Sequence, residues 1–482
     1  MSKNAYLNLL KGFILLSPLP FGCVGKIFSP LFYMTLLVLS FAGLSVRDQL
    51  KTERGESVYF AFQNRIKLFT YIFFGFLLFQ IIPLPIFILK LISPATVKSY
   101  FLISEQLPAF MTISKVPVET IMFGVRLLVI IIFLISFIKI NIRIRELISI
   151  VNVLILSAVV QSLFGIIKYA LQSDKFFLFF HQIDKPRKVE FLTGTLGNPN
   201  HFSFYLEMII PLVLVLLLLK INLFESNNGF REKIISTFNQ DKKFLFSFIF
   251  VVILSISIVL TGSRAGIMTL ATTLILFGLL TFYLTRSRVF RKKIKIIFVT
   301  IAMVTLYVGI KNTSDKFMRT NFDNSGRFLR WPNSMKIFKD FPLFGTGFGT
   351  YKNSFLIYDT DIGGKWSTNA HNEYIETLTD GGLVGVLLSM TILGLLIYSI
   401  LKMWKVRRHP RIRLFGIGIL SSIYAALFHS FFDYSLRIPS NSFVFILLLG
   451  LGIKFVTYRR EFSESGFPRK RENRIKTNRG SK

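Results

Sequence analysis

The sequence predicts an all-α polytopic integral membrane protein with about twelve transmembrane helices and one long extracytoplasmic loop that carries short amphipathic helices. Hydrophobic residues make up 52% of the 482 residues, and 54 residues are phenylalanine. Apolar runs of about eighteen or more residues recur, and each is long enough to cross a hydrocarbon core of about 30 Å as a helix. Residues 311–380 form the one long polar interruption.

The apolar runs predict the spans in order. They cover roughly residues 6–23, 27–46, 67–89, 119–138, 147–171, 201–219, 244–262, 265–284, 294–310, 381–401, 414–433 and 441–457. Pro83, Pro85 and Pro211 fall within spans, where proline bends or breaks a helix.

The spans divide the chain into four parts. Residues 1–243 hold spans one to six, residues 244–400 hold a central part with the loop 311–380, and residues 401–458 hold the last two spans. We expect the basic tail, 459–482, to be disordered near anionic lipids.

The charge distribution predicts the orientation in the membrane. The net charge is +33, but most of the 58 Lys and Arg residues cluster in short connections on one side of the predicted spans. This is the positive-inside pattern, so both termini should be cytoplasmic and the 311–380 loop extracytoplasmic. No aromatic-interleaved basic groove accompanies the cations, so we expect no nucleic-acid partner.

Cofactor signals are weak. The single cysteine, Cys23, excludes an internal disulfide framework and a multi-cysteine metal site. Residues 344–351 read FGTGFGTY, but no βαβ unit or Walker lysine surrounds them, so turn-forming glycines are the default interpretation. We therefore expect no cofactor and no metal.

Two short segments carry candidate ligand-binding residues. Residues 194–201, around Asn198, read as a tight turn into the sixth span or as a wall of a site that contacts sugar or phosphate, with basic residues at 185–188 before it. Arg264 lies in TGSRAG, which joins two spans at the outer face. An arginine there either snorkels to the interface or binds an anion.

The long loop holds two further candidates. Arg327 opens a stretch with apolar residues at spacings of three and four, which predicts an amphipathic helix on the membrane surface with Trp331 at headgroup depth. Its guanidinium would suit phosphate oxygens. His371 and Asn372 follow just before the tenth span. Histidine can take a proton from a hydroxyl near neutral pH, although a lone histidine is often structural.

His429, Asp433 and Arg437 recur at intervals of four residues near the end of the eleventh span. This spacing predicts that they lie along one helix face. A functional site and a buried pair that locks two helices are both compatible with ionisable residues at this depth.

Several motifs together resemble the bacterial O-antigen ligase and polymerase superfamily of membrane glycosyltransferases. They are GTLGNPNHFSFYL (194–206), TGSRAG (261–266), SGRFLRWPNSMKIFKDFPLFGTGFGTY (325–351), AHNEYIETLTDGGLVGVLL (370–388) and HSFFDYSLRIPSNSFVF (429–445). Each motif alone is loose, but their order and spacing are specific. They cover the second half of the chain.

The resemblance implies a metal-independent, inverting transfer of a glycan from an undecaprenyl diphosphate carrier to an acceptor hydroxyl, on the periplasmic side of the bacterial inner membrane. The essential arginines of the family fall on Arg264 and Arg327, and its histidine falls on His371. As further contacts for the diphosphate or glycan we expect the following residues: Asn198, Asn372, His429 and Arg437.

The motifs do not determine which acceptor hydroxyl is used. One dominant outer loop favours a ligase that transfers O-antigen to lipopolysaccharide core, whereas an O-antigen polymerase or a protein O-oligosaccharyltransferase would share the motifs. A transporter or flippase for the lipid-linked glycan is the alternative from another class, although transporters commonly show repeated halves, which this sequence lacks.

Overall fold

Helices dominate the part of the protein that the computed structural model describes. The described residues are 1–19, 21–47, 57–101, 106–172, 191–220, 242–284, 327–359 and 369–458. Within them the only strands are β1 (Leu84–Pro85) and β2 (Phe110–Met111), which pair antiparallel with Leu84 opposite Met111.

The described residues form helices α1 to α16, which are numbered in chain order. They are α1 (Lys3–Leu16), α2 (Phe28–Leu44), α3 (Ser57–Ile81), α4 (Ile86–Ile92), α5 (Pro94–Phe101), α6 (Pro117–Lys139), α7 (Ile144–Ala170), α8 (Pro199–Glu207), α9 (Ile210–Lys220), α10 (Lys242–Leu260), α11 (Arg264–Leu284), α12 (Arg327–Asp340), α13 (Tyr351–Phe355), α14 (Glu373–Val406), α15 (Pro410–His429) and α16 (Pro439–Thr457). Two 3₁₀ turns, Phe21–Cys23 and Ser435–Arg437, follow α1 and α15.

Seven segments among the described residues are long and apolar enough to cross a membrane, namely α6, α7, α8 with α9, α11, α14, α15 and α16. The central ones are α8 with α9 and α16, whose apolar windows are 89% and 83% buried, whereas that of α14 is 17% buried. The all-α membrane protein expected from the sequence is therefore observed. Helices α8, α9 and α16 are therefore surrounded mainly by other helices at the centre of the bundle. Helix α14 lies at the edge, with most of its apolar surface exposed.

Proline explains where two predicted spans are interrupted. The predicted span 67–89 is instead a helix that ends at Ile81, before Pro83, and the chain continues into β1 and α4. In the predicted span 201–219, α8 ends at Glu207, four residues before Pro211. The proline ring collides with the carbonyl of residue i−4, which for Pro211 is Glu207, where α8 ends. Helix α3 ends two residues before Pro83, because proline disfavours the helical conformation of the residue before it.

Other boundaries differ from the prediction. The first helix has 14 residues and ends at Leu16, just before Pro18, so it is shorter than the predicted span 6–23. The tenth predicted span begins earlier, because α14 starts at Glu373 and passes through a kink at Gly382. The predicted span 294–310 and the tail 459–482 lie outside the described residues, as does the part of the long loop before Arg327.

The described part of the long loop forms a small core of its own. Ile337 of α12 and Phe341, the residue after this helix, are buried with Tyr351 and Phe355 of α13. The predicted amphipathic helix is thus present. Ile337 and the following Phe341 pack inside the protein, and the indole nitrogen of Trp331 donates a hydrogen bond to the carbonyl of Ala370 at 3.0 Å. These contacts fasten α12 beside the start of α14.

Residues 344–351 form the turn that the glycines predicted. Gly345, Gly347 and Gly349 all have positive φ. A Cβ at Gly345 would collide with the backbone carbonyl of Asp380, and the amide of Gly349 donates to the Asp380 carboxylate at 3.0 Å. Gln80 of α3 donates to the carbonyls of Phe344 and Asp380 at 2.7 and 3.1 Å. The loop therefore holds α3 and α14 together.

Candidate active site

A histidine–aspartate pair forms the centre of the site. Nδ1 of His371 lies 2.8 Å from Oδ1 of Asp433. The side chain of Asp433 is 1% exposed and that of His371 is 22% exposed. The carboxylate is thus shielded from solvent, while the imidazole is partly open to it.

The protonation of this pair follows from its surroundings. Burial opposes ionisation of Asp433, but the hydrogen bond from His371 and the nearby histidines hold its pKa below the ordinary range. An ionised carboxylate only accepts hydrogen bonds, so Nδ1 of His371 is the donor. Nε2 is then the nitrogen whose lone pair can accept a proton from a substrate.

The backbone at His371 is held in an uncommon conformation. Its φ is +52°, in the left-handed region, which costs about 1–3 kcal/mol for a residue with a side chain. Its neighbours on both sides are fixed. The Ala370 amide donates to Glu376 at 2.8 Å, the Ala370 carbonyl accepts from Trp331, and Asn372 caps α14. The surrounding structure therefore imposes the position of the imidazole.

A second histidine approaches the other oxygen of Asp433. Nε2 of His201, on α8, lies 3.7 Å from Oδ2, which also accepts a hydrogen bond from Ser435 at 2.6 Å. The Tyr434 ring stands edge-on to both imidazoles, with centroids 5.1 Å from His371 and 5.2 Å from His201. His201 lies in the motif 194–206, but it was not among the site residues predicted from the sequence.

The predicted helix face of His429, Asp433 and Arg437 is wrong. Helix α15 ends at His429, and the chain then turns into the 3₁₀ segment Ser435–Arg437. Each residue therefore meets a different partner. His429 is fully buried, and its Nδ1 lies 2.8 Å from Oε2 of Glu207, so it joins α15 to α8.

Arg437 is surrounded by carboxylates of α14. Its guanidinium nitrogens lie 3.0 Å from Glu373, 3.0 Å from Glu376 and 3.6 Å from Asp380. Burial opposes its charge, but the attraction of the three carboxylates raises the pKa of Arg437 above its ordinary value. These partners give Arg437 a role in holding the first turns of α14, and its predicted contact with substrate stays a prediction.

Both candidate asparagines are helix caps. Oδ1 of Asn198 accepts from the amides of Asn200 and His201, and Oδ1 of Asn372 accepts from the amides of Tyr374 and Ile375. A short polar side chain before the first helical residue satisfies amides that have no partner within the helix. The predicted turn at Asn198 is therefore present. Substrate binding by either residue stays a prediction. Because Oδ1 is used for capping, the side-chain amide nitrogen would be the atom that donates to the substrate.

Arg264 is the first residue of α11. Gly262 turns the chain with φ +62°, and Ser263 accepts from the Gly266 amide at 3.1 Å, which caps the helix. A Cβ at Gly266 would overlap Ser203 and approach Glu207, so the first turn of α11 packs closely on α8. The half-buried Arg264 thus begins a helix that contacts the same short helix as His201.

Arg327 is the first residue of α12, one helical turn before Trp331. Its side chain lies outside the described part of the chain, as do residues 185–188. The backbone alone places Arg327 in the helix that is fastened beside His371. Within the described residues, no group of three or more His, Cys, Asp or Glu side chains could hold a metal ion.

A cavity opens next to Tyr434, whose ring contacts that of His371. Its volume is about 1390 Å³, and helices α2, α3, α6, α14 and α16 line it. Asn369, Tyr434 and Arg437 lie at the end near His371, which we call the site end. Lys67 and Lys139 lie at the opposite end. The walls between the two ends are mostly apolar.

The family model described as O-antigen ligase matches residues 249–390. Over these residues the chain is similar to the O-antigen ligase family. The match confirms the resemblance that the motifs indicated, and it covers α10 to the middle of α14, including Arg264, Arg327 and His371. No curated protein matches the sequence at a significant level. Together with this similarity, the apolar helices indicate a bacterial multi-pass membrane protein.

Proposed function

We propose that this protein is a metal-independent, inverting glycosyltransferase of the bacterial inner membrane. It moves a glycan from an undecaprenyl diphosphate carrier to an acceptor hydroxyl on the periplasmic face. The specific reaction that we propose is the transfer of O-antigen to lipopolysaccharide core. The observation that carries this proposal is the buried Asp433 carboxylate 2.8 Å from Nδ1 of the partly exposed His371.

His371 acts as the general base in this mechanism. Its Nε2 takes the proton of the acceptor hydroxyl as the oxygen attacks the anomeric carbon of the donor, and the bond from that carbon to the diphosphate breaks. Attack from the side opposite the leaving group inverts the anomeric configuration. The Asp433 carboxylate stabilises the imidazolium that forms, in the way a carboxylate supports histidine in a catalytic triad.

Arg264 and Arg327 stabilise the leaving diphosphate. A guanidinium offers a planar set of donors that matches phosphate oxygens, and fixed cations are most effective where charge develops in the transition state. Helix packing supports this assignment, since α11 begins against α8 near His201 and α12 is fastened beside Ala370.

The test is transfer by the purified protein from a carrier-linked glycan. Arg264→Lys keeps the charge but loses the fork, so it should lose nearly as much activity as Arg264→Ala. His371→Ala should abolish transfer while donor binding persists. Full transfer by Arg264→Ala or His371→Ala protein, present at normal level, would refute the proposed site.

A gene deletion distinguishes the three related reactions. For a ligase, every O-antigen band disappears from lipopolysaccharide while long glycan accumulates on the carrier. Core bearing a single repeat indicates a polymerase instead. Unchanged lipopolysaccharide with an unglycosylated secreted protein indicates a protein O-oligosaccharyltransferase.

The transporter alternative is tested with the same protein. The cavity runs from the site end to Lys67 and Lys139, so passage of a lipid-linked glycan is a reasonable second hypothesis. Movement of the glycolipid between leaflets of a vesicle without transfer to an acceptor would support it. Transfer without such movement would exclude it.

A further inference from the structure

Another buried carboxyl–imidazole pair lies inside the bundle, apart from the catalytic pair. Oε2 of Glu207 is 2.8 Å from Nδ1 of His429, and the two side chains are 1% and 0% exposed. Glu207 is the last residue of α8, and His429 is the last residue of α15. Neither side chain lines the cavity next to Tyr434. The mechanism proposed above uses neither residue.

Packing alone does not account for this pair. Both side chains lose their contact with water, and apolar residues of similar volume in the two positions often support a fold as well or better. Ionisable residues buried within a membrane protein are costly and mark functional places. The role of the pair therefore follows from the segments that it joins.

Glu207 lies against the first turn of α11. A Cβ at Gly266 would come within 3.0 Å of Oε1 of Glu207 and 2.8 Å of Oγ of Ser203, so the absence of a side chain allows this close approach. Gly266 is two residues after Arg264, the first residue of α11. The N-terminus of a helix carries a partial positive charge, so an acidic side chain beside it is favourable. Glu207 therefore fixes the turn from which the Arg264 side chain extends.

His429 fixes the turn that carries Asp433. The carbonyl oxygen of His429 accepts from the amides of Phe432 at 2.8 Å and of Asp433 at 3.2 Å. The His429 imidazole is also close enough to Asp433 and His201 to interact with both electrostatically. Since α8 carries His201, the pair joins the three segments that hold Arg264, Asp433 and His201.

We propose that Glu207 and His429 are positioning residues, which hold Arg264 at a fixed place relative to the catalytic pair so that the guanidinium and the base reach the same donor. This inference rests on the proposed function, because it takes Arg264 as a ligand of the leaving diphosphate. It adds that two residues which touch neither the substrate nor the reacting atoms determine how tightly the diphosphate is bound.

The test measures binding of the carrier diphosphate without its glycan to the purified full-length protein. Glu207→Gln keeps the size of the side chain and an oxygen that accepts from His429, but it removes the charge beside α11. The Kd should rise by roughly tenfold, the effect of weakening one hydrogen bond to a charged group. In Arg264→Ala protein, the same substitution should change the Kd by less than about twofold, because no guanidinium is left to position.

The matched control is Tyr205→Phe on the same helix. The Tyr205 side chain is 0% exposed, and its hydroxyl donates to Oγ of Ser157 on α7 at 2.9 Å. This substitution should lower the thermal stability in detergent and leave the Kd unchanged. An unchanged Kd in Glu207→Gln protein, or the same fold-change with and without Arg264, would overturn the proposal. An equal rise of the Kd in Tyr205→Phe protein would also contradict it, since the packing of α8 would then be the cause.

A double substitution keeps the test decisive if Glu207→Gln protein does not fold. Glu207→Leu combined with His429→Leu removes both polar partners and leaves no uncompensated group in the core. This variant should stay folded but bind the carrier diphosphate roughly tenfold more weakly. Wild-type binding and transfer in this variant, or loss of folding in both variants, would mean that the pair serves stability only and would refute the positioning role. Wild-type protein that binds no carrier diphosphate and transfers no glycan would instead refute the proposed function.

Discussion

Replacing Asp433 with asparagine tests the catalytic pair most directly. The substitution keeps the size of the side chain and a hydrogen-bond acceptor, but it removes the negative charge next to Nδ1 of His371, 2.8 Å away. Thermal stability in detergent, measured alongside, reports whether the protein is still folded.

The expected loss follows from two effects. A hydrogen bond to a charged group contributes about 1.5–3 kcal/mol, and each 1.36 kcal/mol is a factor of about ten in rate. Loss of the charge therefore lowers kcat by about 10- to 150-fold. The new amide can also turn its NH₂ group toward Nδ1, so that the proton of the imidazole lies on Nε2. His371 can then no longer act as the base, and the total loss in kcat rises toward the 10²–10⁴-fold that general-base catalysis contributes.

The assay is the initial rate of glycan transfer with purified protein, at varied donor concentration. We expect kcat to fall by about 10²-fold or more while the KM for donor changes little, because the charge acts on the reacting proton. Asp433 is 1% exposed, so direct contact with the donor does not contribute.

Ser435→Ala is the matched control. It removes the 2.6 Å hydrogen bond to the other oxygen of Asp433 and leaves the charge in place. We expect a loss of about tenfold or less from one hydrogen bond. An unaltered kcat in the Asp433→Asn protein would contradict the general-base assignment. Equal losses in both variants would mean that packing around the carboxylate, and not its charge, supports activity.

Three further predictions concern the scaffold. Gly345→Ala should sharply lower the thermal stability in detergent because its Cβ would collide with a backbone carbonyl, whereas Gly12→Ala, with open space around Gly12, should not lower it. A reporter fused after Ser354 should be extracytoplasmic and one fused after Arg408 cytoplasmic, and reversed signals at both would contradict the predicted topology. Burial lowers the pKa of Lys115 to about 8, so between pH 8 and the ordinary value of about 10.4 the unfolded chain binds more protons. Wild-type stability should therefore rise with pH relative to Lys115→Met, and a constant difference would exclude this effect.

Local signals in the sequence correctly predicted much of the scaffold. Long apolar runs gave most of the membrane helices because a helix in lipid must satisfy its own backbone. Asn198 and Asn372 cap α8 and α14, as short polar residues before helices do. Pro211 ends α8 at Glu207. An acidic residue within an apolar run was also a visible signal for Glu207, because charge at that depth requires a partner.

Which ionisable groups meet was decided only by the tertiary structure. His371 and Asp433 are 62 residues apart in sequence, and Glu207 and His429 are 222 apart. Their spacing predicted that His429 and Asp433 share one helix face, but α15 ends at His429. His429 therefore meets Glu207, and Asp433 meets His371. Periodicity specifies the face of a single helix, whereas these pairs depend on the register and rotation of several helices packed together, which no local pattern contains.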